Sequence, residues 1–412
     1  MEEWKVIQLK EVCELIPGFA FKSSEFGEHE YSAIKIGDIQ PPYVHEEGLT
    51  GVDISRYSKE KLEKFKVYYG DFVLAMTGAT IGKIGRYIGT SGAYINQRVL
   101  LFRPKENVNK EYLYYCLQTP VFQQYIFNHI DSQTAQPNIS AGSVSGFEIL
   151  LPCISIQNKI ADILSALDSK IELNNRINHN LEEQAQAIYK SWFVDFEPFK
   201  NGKFIESELG LIPEGWKIGK INDVINLLSG FPFKSSDFQE NGDYQLITIK
   251  GVQDGYLDVT SADMLSSLPS KMPQYCILNI GDILISLTGN VGRICIVDRK
   301  NLLLNQRVAI LSPKNIRDSF YVYTMFRSES MKNELIHIAR GTAQLNLSPI
   351  ETGEKLTVIP PDSILEAFAK VGKGTFNQYI SLKMENIRLM EMRDSLLPKL
   401  MSGELKINDL TC

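Results

Sequence analysis

The chain has 412 residues, with 43 Lys and Arg against 49 Asp and Glu, a formal net charge of −6 and 44% hydrophobic residues. That length exceeds what one compact core usually organises, and the composition is that of a globular chain, not a disordered one. No apolar run approaches the ~20 residues that span a bilayer, and the start, MEEWKVIQLKEV, is charged and lacks an apolar leader core, so a cytoplasmic protein with no membrane contact is expected.

Taken in chain order, the elements are written twice. EEWKVIQLKEV (2–12) returns as EGWKIGKINDV (214–224), and GFAFKSSEF (18–26) as GFPFKSSDF (230–238). GDFVLAMTGATIGKIGRY (70–87) returns as GDILISLTGNVGRICIV (281–297). INQRVLLF (95–102) matches LNQRVAIL (304–311), and TAQPNIS (134–140) matches TAQLNLS (342–348). The offset between copies drifts only from 212 to 208, as loop deletions in a duplicated domain would leave it. Short β-branched runs such as 72–76, 94–102, 282–286 and 307–313 alternate with helix-like stretches at 110–127 and 318–336. Each half therefore reads as an α/β domain with a substantial mixed sheet.

The period then changes. From 156 to 192 apolar residues recur every three or four positions, with Ile160, Ile163, Leu167, Ile171 and Leu181 on one seam. A second seam follows with Phe368, Val371, Tyr379, Leu382 and Leu389. Each helix would run for about 37 residues, or ~55 Å. Neither stripe can be buried against its own domain alone, so an antiparallel coiled coil of the two is expected; a core helix or pairing with another chain is the alternative. Asn174, Asn175 and Asn178 are candidates for setting register. The predicted organisation is a first domain at 1–152, a long helix at 153–200, a second domain at 201–360 and a second long helix at 361–412. The fold class is α/β, or α+β: two tandem similar domains and two long helices.

Enzymatic motifs do not appear. Gly78 to Lys83 has the wrong spacing for a phosphate loop, and Ile84 stands where a metal-binding hydroxyl belongs. No dinucleotide fingerprint, nucleophile elbow or zinc motif follows, and the six cysteines form no Cys-x-x-Cys pair. No catalytic residue, metal ligand or cofactor is assigned to this chain. Residues 1–152 carry 15 basic and 18 acidic groups, and 201–360 carry 16 and 17, so neither half is a basic domain.

The repeated polar residues suit a nucleic acid. Lys22, Ser23, Ser24, Thr77, Lys83, Arg86, Gln97, Arg98 and Gln136 are candidates in the first half. Lys234, Ser235, Ser236, Thr288, Arg293, Gln306, Arg307, Arg340 and Gln344 are candidates in the second. Lys, Arg and Ser on Gly-rich loops fit phosphate oxygens, while Gln and Arg can pair with base edges. The aromatic and glycine letters between them read better as core and turn chemistry. If the two domains read different sequences, residues present in both copies cannot carry the difference. Base choice is then expected in the stretches without a match, 38–51 and 252–264, with Tyr43, His45 and Tyr256 as candidates.

The whole pattern resembles the specificity subunit of type I restriction–modification systems. The resemblance rests on Gly-x-x-Phe-Lys-Ser in each half, the Thr-Gly loop, the Asn-Gln pair, ELGLIPEGWK (208–217), RDSLLPKLMSGEL (393–405) and LPCISIQNKIADILSALDSKIELNN (151–175). Leu365 and Phe368 depart from the Gln-x-x-Ile of 157–160. The resemblance implies two target-recognition domains that bind double-stranded DNA at a bipartite site, with the helices as spacer. It implies two modification subunits that use S-adenosylmethionine and two ATP-dependent restriction subunits, with Mg2+ in those partners. The alternative is a coiled-coil scaffold whose α/β domains bind proteins.

Overall fold

The computed structural model describes residues 4–131, 137–341 and 344–405. It divides into two units, residues 1–170 with 389–412, and 171–388.

In the first unit, hydrophobic runs pair as two five-stranded sheets instead of the one expected, and Lys5–Gln8 pairs separately with Glu148–Leu151. One sheet sets Cys13–Pro17 beside Val99–Pro104, then Phe72–Ala75, Ile84–Tyr87 and Tyr43–Val44. All its pairings are antiparallel except the last. The second sheet contains Phe26–Gly27, Thr50–Val52, Tyr31–Ile34, Ala93–Ile95 and Lys66–Val67, with a parallel pairing at Tyr31–Ile34. Strands 72–75 and 93–95 are buried at every position, which explains their unbroken apolar runs.

The second unit repeats this plan. Ile225–Ser229, Val308–Pro313, Ile283–Ser286 and Ile294–Ile296 form one sheet. Met264–Leu265, Tyr244–Ile247 and Leu302–Leu304 form the other. The stretch 110–127 is two helices, Lys110–Cys116 and Pro120–Asn128, because Thr119 caps the second and Pro120 opens it. Its mate likewise splits into Ser319–Arg327 and Glu329–Ile338, capped by Ser328.

The two long helices are Ile154–Tyr189 and Asp362–Met401. The first ends in a π-helical turn at Lys190–Val194, followed by Phe196 at φ 51°. Trp192, Phe193, Phe196 and Phe199 then gather around Trp216, the aromatic of the ELGLIPEGWK stretch. In the first unit the other long helix ends equivalently, with Gly403 at φ 72° lying against Trp4.

Within each unit the long helices pack antiparallel. In the first, Ile160, Ala161 and Leu164 share a core with Leu397, Leu400 and Met401. Asp168 there accepts from Tyr115 Oη at 2.7 Å and from Arg393 Nη1 at 2.9 Å. In the second, Ala185 and Tyr189 share a core with Leu365, Phe368 and Tyr379. Leu365 thus packs apolar where Gln157 instead accepts from Asn109 N at 2.9 Å and donates to Pro152 O at 2.8 Å.

The seam differs in detail from the periodicity. Ile160, Phe368 and Tyr379 are buried, and Ile163, Leu167, Ile171, Leu181, Leu382 and Leu389 are half-buried. Val371 is a correction: it is 50% exposed, and Gly372 faces the core in its place. A Cβ at Gly372 would lie 1.8 Å from Phe320 Cδ1, and that ring stacks on Phe368. A residue without a side chain is invisible to a hydrophobic pattern. Polar residues also hold seam positions. Asn174 Nδ2 donates to Asn386 Oδ1 at 2.9 Å and Glu385 Oε2 at 2.8 Å, and Asn386 Nδ2 donates to Asn175 Oδ1 at 2.7 Å. Asn174 and Asn178 are buried, while Asn175 is exposed.

Two outcomes are expected. Gly372→Ala should lower the melting temperature, because overpacking against Phe320 costs ~1–3 kcal/mol while the helix-propensity gain is only ~1 kcal/mol. Asn174→Leu should destabilise by about 1–3 kcal/mol by removing the buried amide that donates to Asn386 Oδ1 and Glu385 Oε2. Adding Asn386→Leu should recover part of that loss, and a double-mutant cycle in urea should give a coupling of about 0.5–3 kcal/mol.

Candidate nucleic-acid interface

In each unit one backbone crossing brings the repeated residues together. Gly18 N donates to Val99 O at 2.9 Å and Phe19 N to Ile95 O at 2.9 Å. Gly230 N and Phe231 N repeat this onto Val308 O and Leu304 O, both at 3.0 Å. The approach has no room for a side chain: a Cβ at Gly18 would sit 2.1 Å from Asn96 O, and one at Gly230 would sit 2.3 Å from Asn305 O. The Gly-Phe start of the repeated phrase is therefore seated on the Asn-Gln-Arg turn. Phe19 and Phe21 continue into an aromatic cluster with Tyr57 and Phe65, as the core reading expects.

The Asn-Gln-Arg turn closes on itself. Asn96 Oδ1 accepts from Gln97 N at 2.9 Å, and Val99 N donates to Asn96 O at 2.8 Å. Its backbone also meets the Thr-Gly strand, where Met76 N donates to Arg98 O at 2.9 Å and Leu287 N to Arg307 O at 3.0 Å. Gln97, Arg98, Gln306 and Arg307 are left exposed at the tips.

The Thr-Gly loop supports a further loop. Gly78 N donates to Pro137 O at 3.1 Å, and Gly289 N to Leu345 O at 2.9 Å. Gly78, Gly82, Gly289 and Gly292 all have φ near +75 to +82°, which explains the glycines. Their N–H groups are already used: Gly82 N donates to Ala75 O at 2.9 Å, and Gly292 N to Ser286 O at 3.0 Å. The loop is thus a folded support, not the open cradle of amides expected for phosphate.

In the second unit Ser229, Thr288, Gln306, Arg307, Gln344 and Asn346 line one open polar depression. Residues distant in sequence, and picked out because they recur, converge there. Lys22, Ser23, Ser24, Lys83, Lys234, Ser235, Ser236 and Arg340 are also exposed. Arg340 pairs with Glu351, and Ser236 Oγ bonds Asp237 at 3.0 Å. Lys22, Lys83, Arg98, Lys234 and Arg307 have no carboxylate partner within 4.0 Å among the described residues.

Several candidates take other places. Arg86 lies inside the first unit, its guanidinium 4.1 Å from the Tyr114 ring centre and paired with Glu111, so it is a structural cation. Thr77 and Thr288 are buried; Thr288 Oγ1 reaches Asn346 Oδ1 at 3.3 Å. Arg293 is half-buried and donates to Gln253 Oε1. Gln136 lies outside the described residues, as do Thr134, Ala135, Thr342 and Ala343. Tyr43 is half-buried, and His45 and Tyr256 are exposed.

The stretches read as having no match do contain one. Ile39-Gln40-Pro41-Pro42-Tyr43-Val44 and Val252-Gln253-Asp254-Gly255-Tyr256-Leu257 are the same two-residue hairpin. Gln40 N donates to Tyr43 O, and Gln253 N to Tyr256 O, both at 3.1 Å. The flanking Ile39, Val44, Val252 and Leu257 are all buried. The shared signal is Gln-x-x-Tyr between β-branched or leucine residues, shorter than the other repeated phrases.

Among the described residues no cluster of His, Cys, Asp and Glu fits a metal ion. None of their helices is long and apolar enough to cross a membrane.

Comparisons with known proteins agree with this architecture. The family model described as type I restriction modification DNA specificity domain matches residues 1–183 and 213–362. The MjaIX type I restriction enzyme specificity subunit of Methanocaldococcus jannaschii is 28% identical, over 99% of this chain and 95% of that protein. The HindI specificity subunit of Haemophilus influenzae is 25% identical, over 98% of this chain and 100% of that one. The crystal structure of a type I restriction–modification S subunit from M. genitalium superposes with a TM-score of 0.55 at 16% identity, covering 97% and 96% of the two chains. With both α/β domains matched, the chain belongs to the type I restriction modification DNA specificity domain family.

Proposed function

We propose that this chain is the DNA-recognition subunit of a type I restriction–modification complex and that each of its α/β domains binds one half of a bipartite duplex target. The observation that carries this is the convergence of Thr288, Gln306, Arg307, Gln344 and Asn346 on one polar depression, built from letters written in both halves. Exposed cations with no carboxylate partner among the described residues, Lys22, Lys83 and Arg98 in one unit and Lys234 and Arg307 in the other, supply phosphate contacts. They position the duplex and carry no sequence information, as suits residues common to both domains.

The long helices act as the spacer and dock two modification subunits. Those partners bind S-adenosylmethionine, methylate adenine and contribute charge against phosphate; two ATP- and Mg2+-dependent restriction subunits join for cleavage. The chain itself is not a catalyst. Near-neutral halves are compatible with DNA binding because a few local cations and the partners' own charge suffice.

Binding of the chain with its modification subunits to duplexes selected from a random library tests this directly. Two conserved blocks separated by an unread gap are expected, with affinity falling steeply as salt rises. Binding that ignores both sequence and salt would instead favour a protein-binding scaffold. Arg307→Gln should weaken binding to all duplexes alike and reduce the log–log salt slope by about 1. Insertion of seven residues at matched positions of both long helices adds ~10.5 Å, so the gap should lengthen by about 3 base pairs at ~3.4 Å each while both blocks stay unchanged.

A further inference from the structure

The hairpins at 39–44 and 252–257 share a frame but not what they present. Each frame is two buried aliphatic residues with a Gln-to-Tyr backbone bond across a two-residue tip. Each is fixed to a neighbouring strand, through Arg86 N to Pro42 O at 2.9 Å in one unit and Gly255 N to Ile294 O at 2.8 Å in the other.

The tips are made rigid by different means. In the first unit Pro41 and Pro42 fix their own φ angles, and Tyr43–Val44 joins the sheet edge at Arg86 and Tyr87. In the second unit the tip is Asp254-Gly255, with Gly255 at φ 87°. It is clamped from below. Gly255 O accepts from Tyr379 Oη at 3.0 Å and from Lys383 Nζ at 2.9 Å, both on the long C-terminal helix. Asp254 is held by Arg327 and by Lys332 Nζ at 3.0 Å, and Arg327 also donates to Glu182 at 3.1 Å. Burial lowers the Lys383 pKa from the ordinary lysine value. Several charged groups converge on a two-residue turn whose outer neighbour, Tyr256, is 55% exposed.

The side chains offered outward differ. Gln253 is occupied, accepting from Arg293 and donating to Lys250 O at 2.7 Å, which leaves Tyr256 as the presented group. In the first unit Gln40 is exposed at the corresponding position. In the second unit the Arg293–Gln253 bond ties the hairpin to the end of the 288–293 loop, whose first residue, Thr288, lines the polar depression.

We propose that these two hairpins are the base-reading elements of the two domains, with Gln40 and Tyr256 as specificity-determining residues and Lys383 as a positioning residue for Tyr256. A two-stranded β-ribbon fits the major groove, and a glutamine amide there matches the adenine N6 and N7 edge. Tyr256 offers a ring face to a thymine methyl and a hydroxyl to a base edge. Preorganised tips keep the ordering cost of binding low. The proposal rests on the recognition reading above.

The test uses the chain assembled with its modification subunits and selection from a random duplex library. Gln40→Ala should relax one position of one block, with about ten- to a hundredfold loss of discrimination there, and leave the other block intact. Tyr256→Ala should do the same to the other block. Lys383→Met should relax the block that Tyr256→Ala relaxes, with the salt slope unchanged, a signature that general loss of stability would not give. Unchanged blocks in both Gln40→Ala and Tyr256→Ala, or equal weakening of both blocks by either one, would overturn the inference while leaving the recognition reading standing. Failure of the unaltered complex to select any consensus would remove that reading and this inference together.

Discussion

The close approach of Gly18 to Asn96, and of Gly230 to Asn305, is the constraint on which the polar surface depends. Two backbone segments cross with no space for a methyl group, so the end of one strand is seated on a four-residue turn. That seat fixes the turn, the turn's carbonyl binds the strand before the Thr-Gly loop, and the loop binds the distant segment at Pro137 or Leu345. Each step is a main-chain hydrogen bond, which tolerates sequence change around it but not at the glycine. This is why short phrases survive in both copies while the intervening letters have diverged.

Charge follows a similar division. Two of the candidate arginines, Arg86 and Arg293, are drawn into the fold, one onto Tyr114 and Glu111, the other onto Gln253. Arg327 similarly links Glu182 to Asp254. Buried or half-buried guanidinium groups need partners, and the planar fork of arginine supplies several bonds at once. The candidate lysines Lys22, Lys83 and Lys234 and the turn-tip arginines Arg98 and Arg307 remain outside. Counting basic residues therefore overstates what is available to a ligand, and the two halves can be near neutral overall yet present local positive groups.

The duplication was legible because identical letters recur in order, and the long helices because their apolar residues keep a helical period. Within the helical seam the reading was partial. Leu164 is fully buried but Leu167 only half, and Gly372 does the work assigned to Val371. Asn174 was legible as a polar break in the seam, but its partner Asn386 sits where a hydrophobic pattern is blind. The two hairpins are faint in the sequence for a related reason: their frame needs only aliphatic character, so Ile39 and Val252, or Val44 and Leu257, are physically equivalent without matching as letters. What sequence cannot supply is which polar groups consume one another, as Gln253 and Arg293 do.

Residues 389–405 complete the first unit from the far end of the chain. Leu397, Leu400 and Met401 close a core whose other walls are made of residues 9–164, and Gly403 lies against Trp4. During synthesis at roughly 5–20 residues per second, those walls emerge long before their missing piece. The second unit, contiguous from 171 to 388, meets no such delay. The core of the first unit can therefore be completed only once residues 397–401 have been made, later than every residue of the second unit.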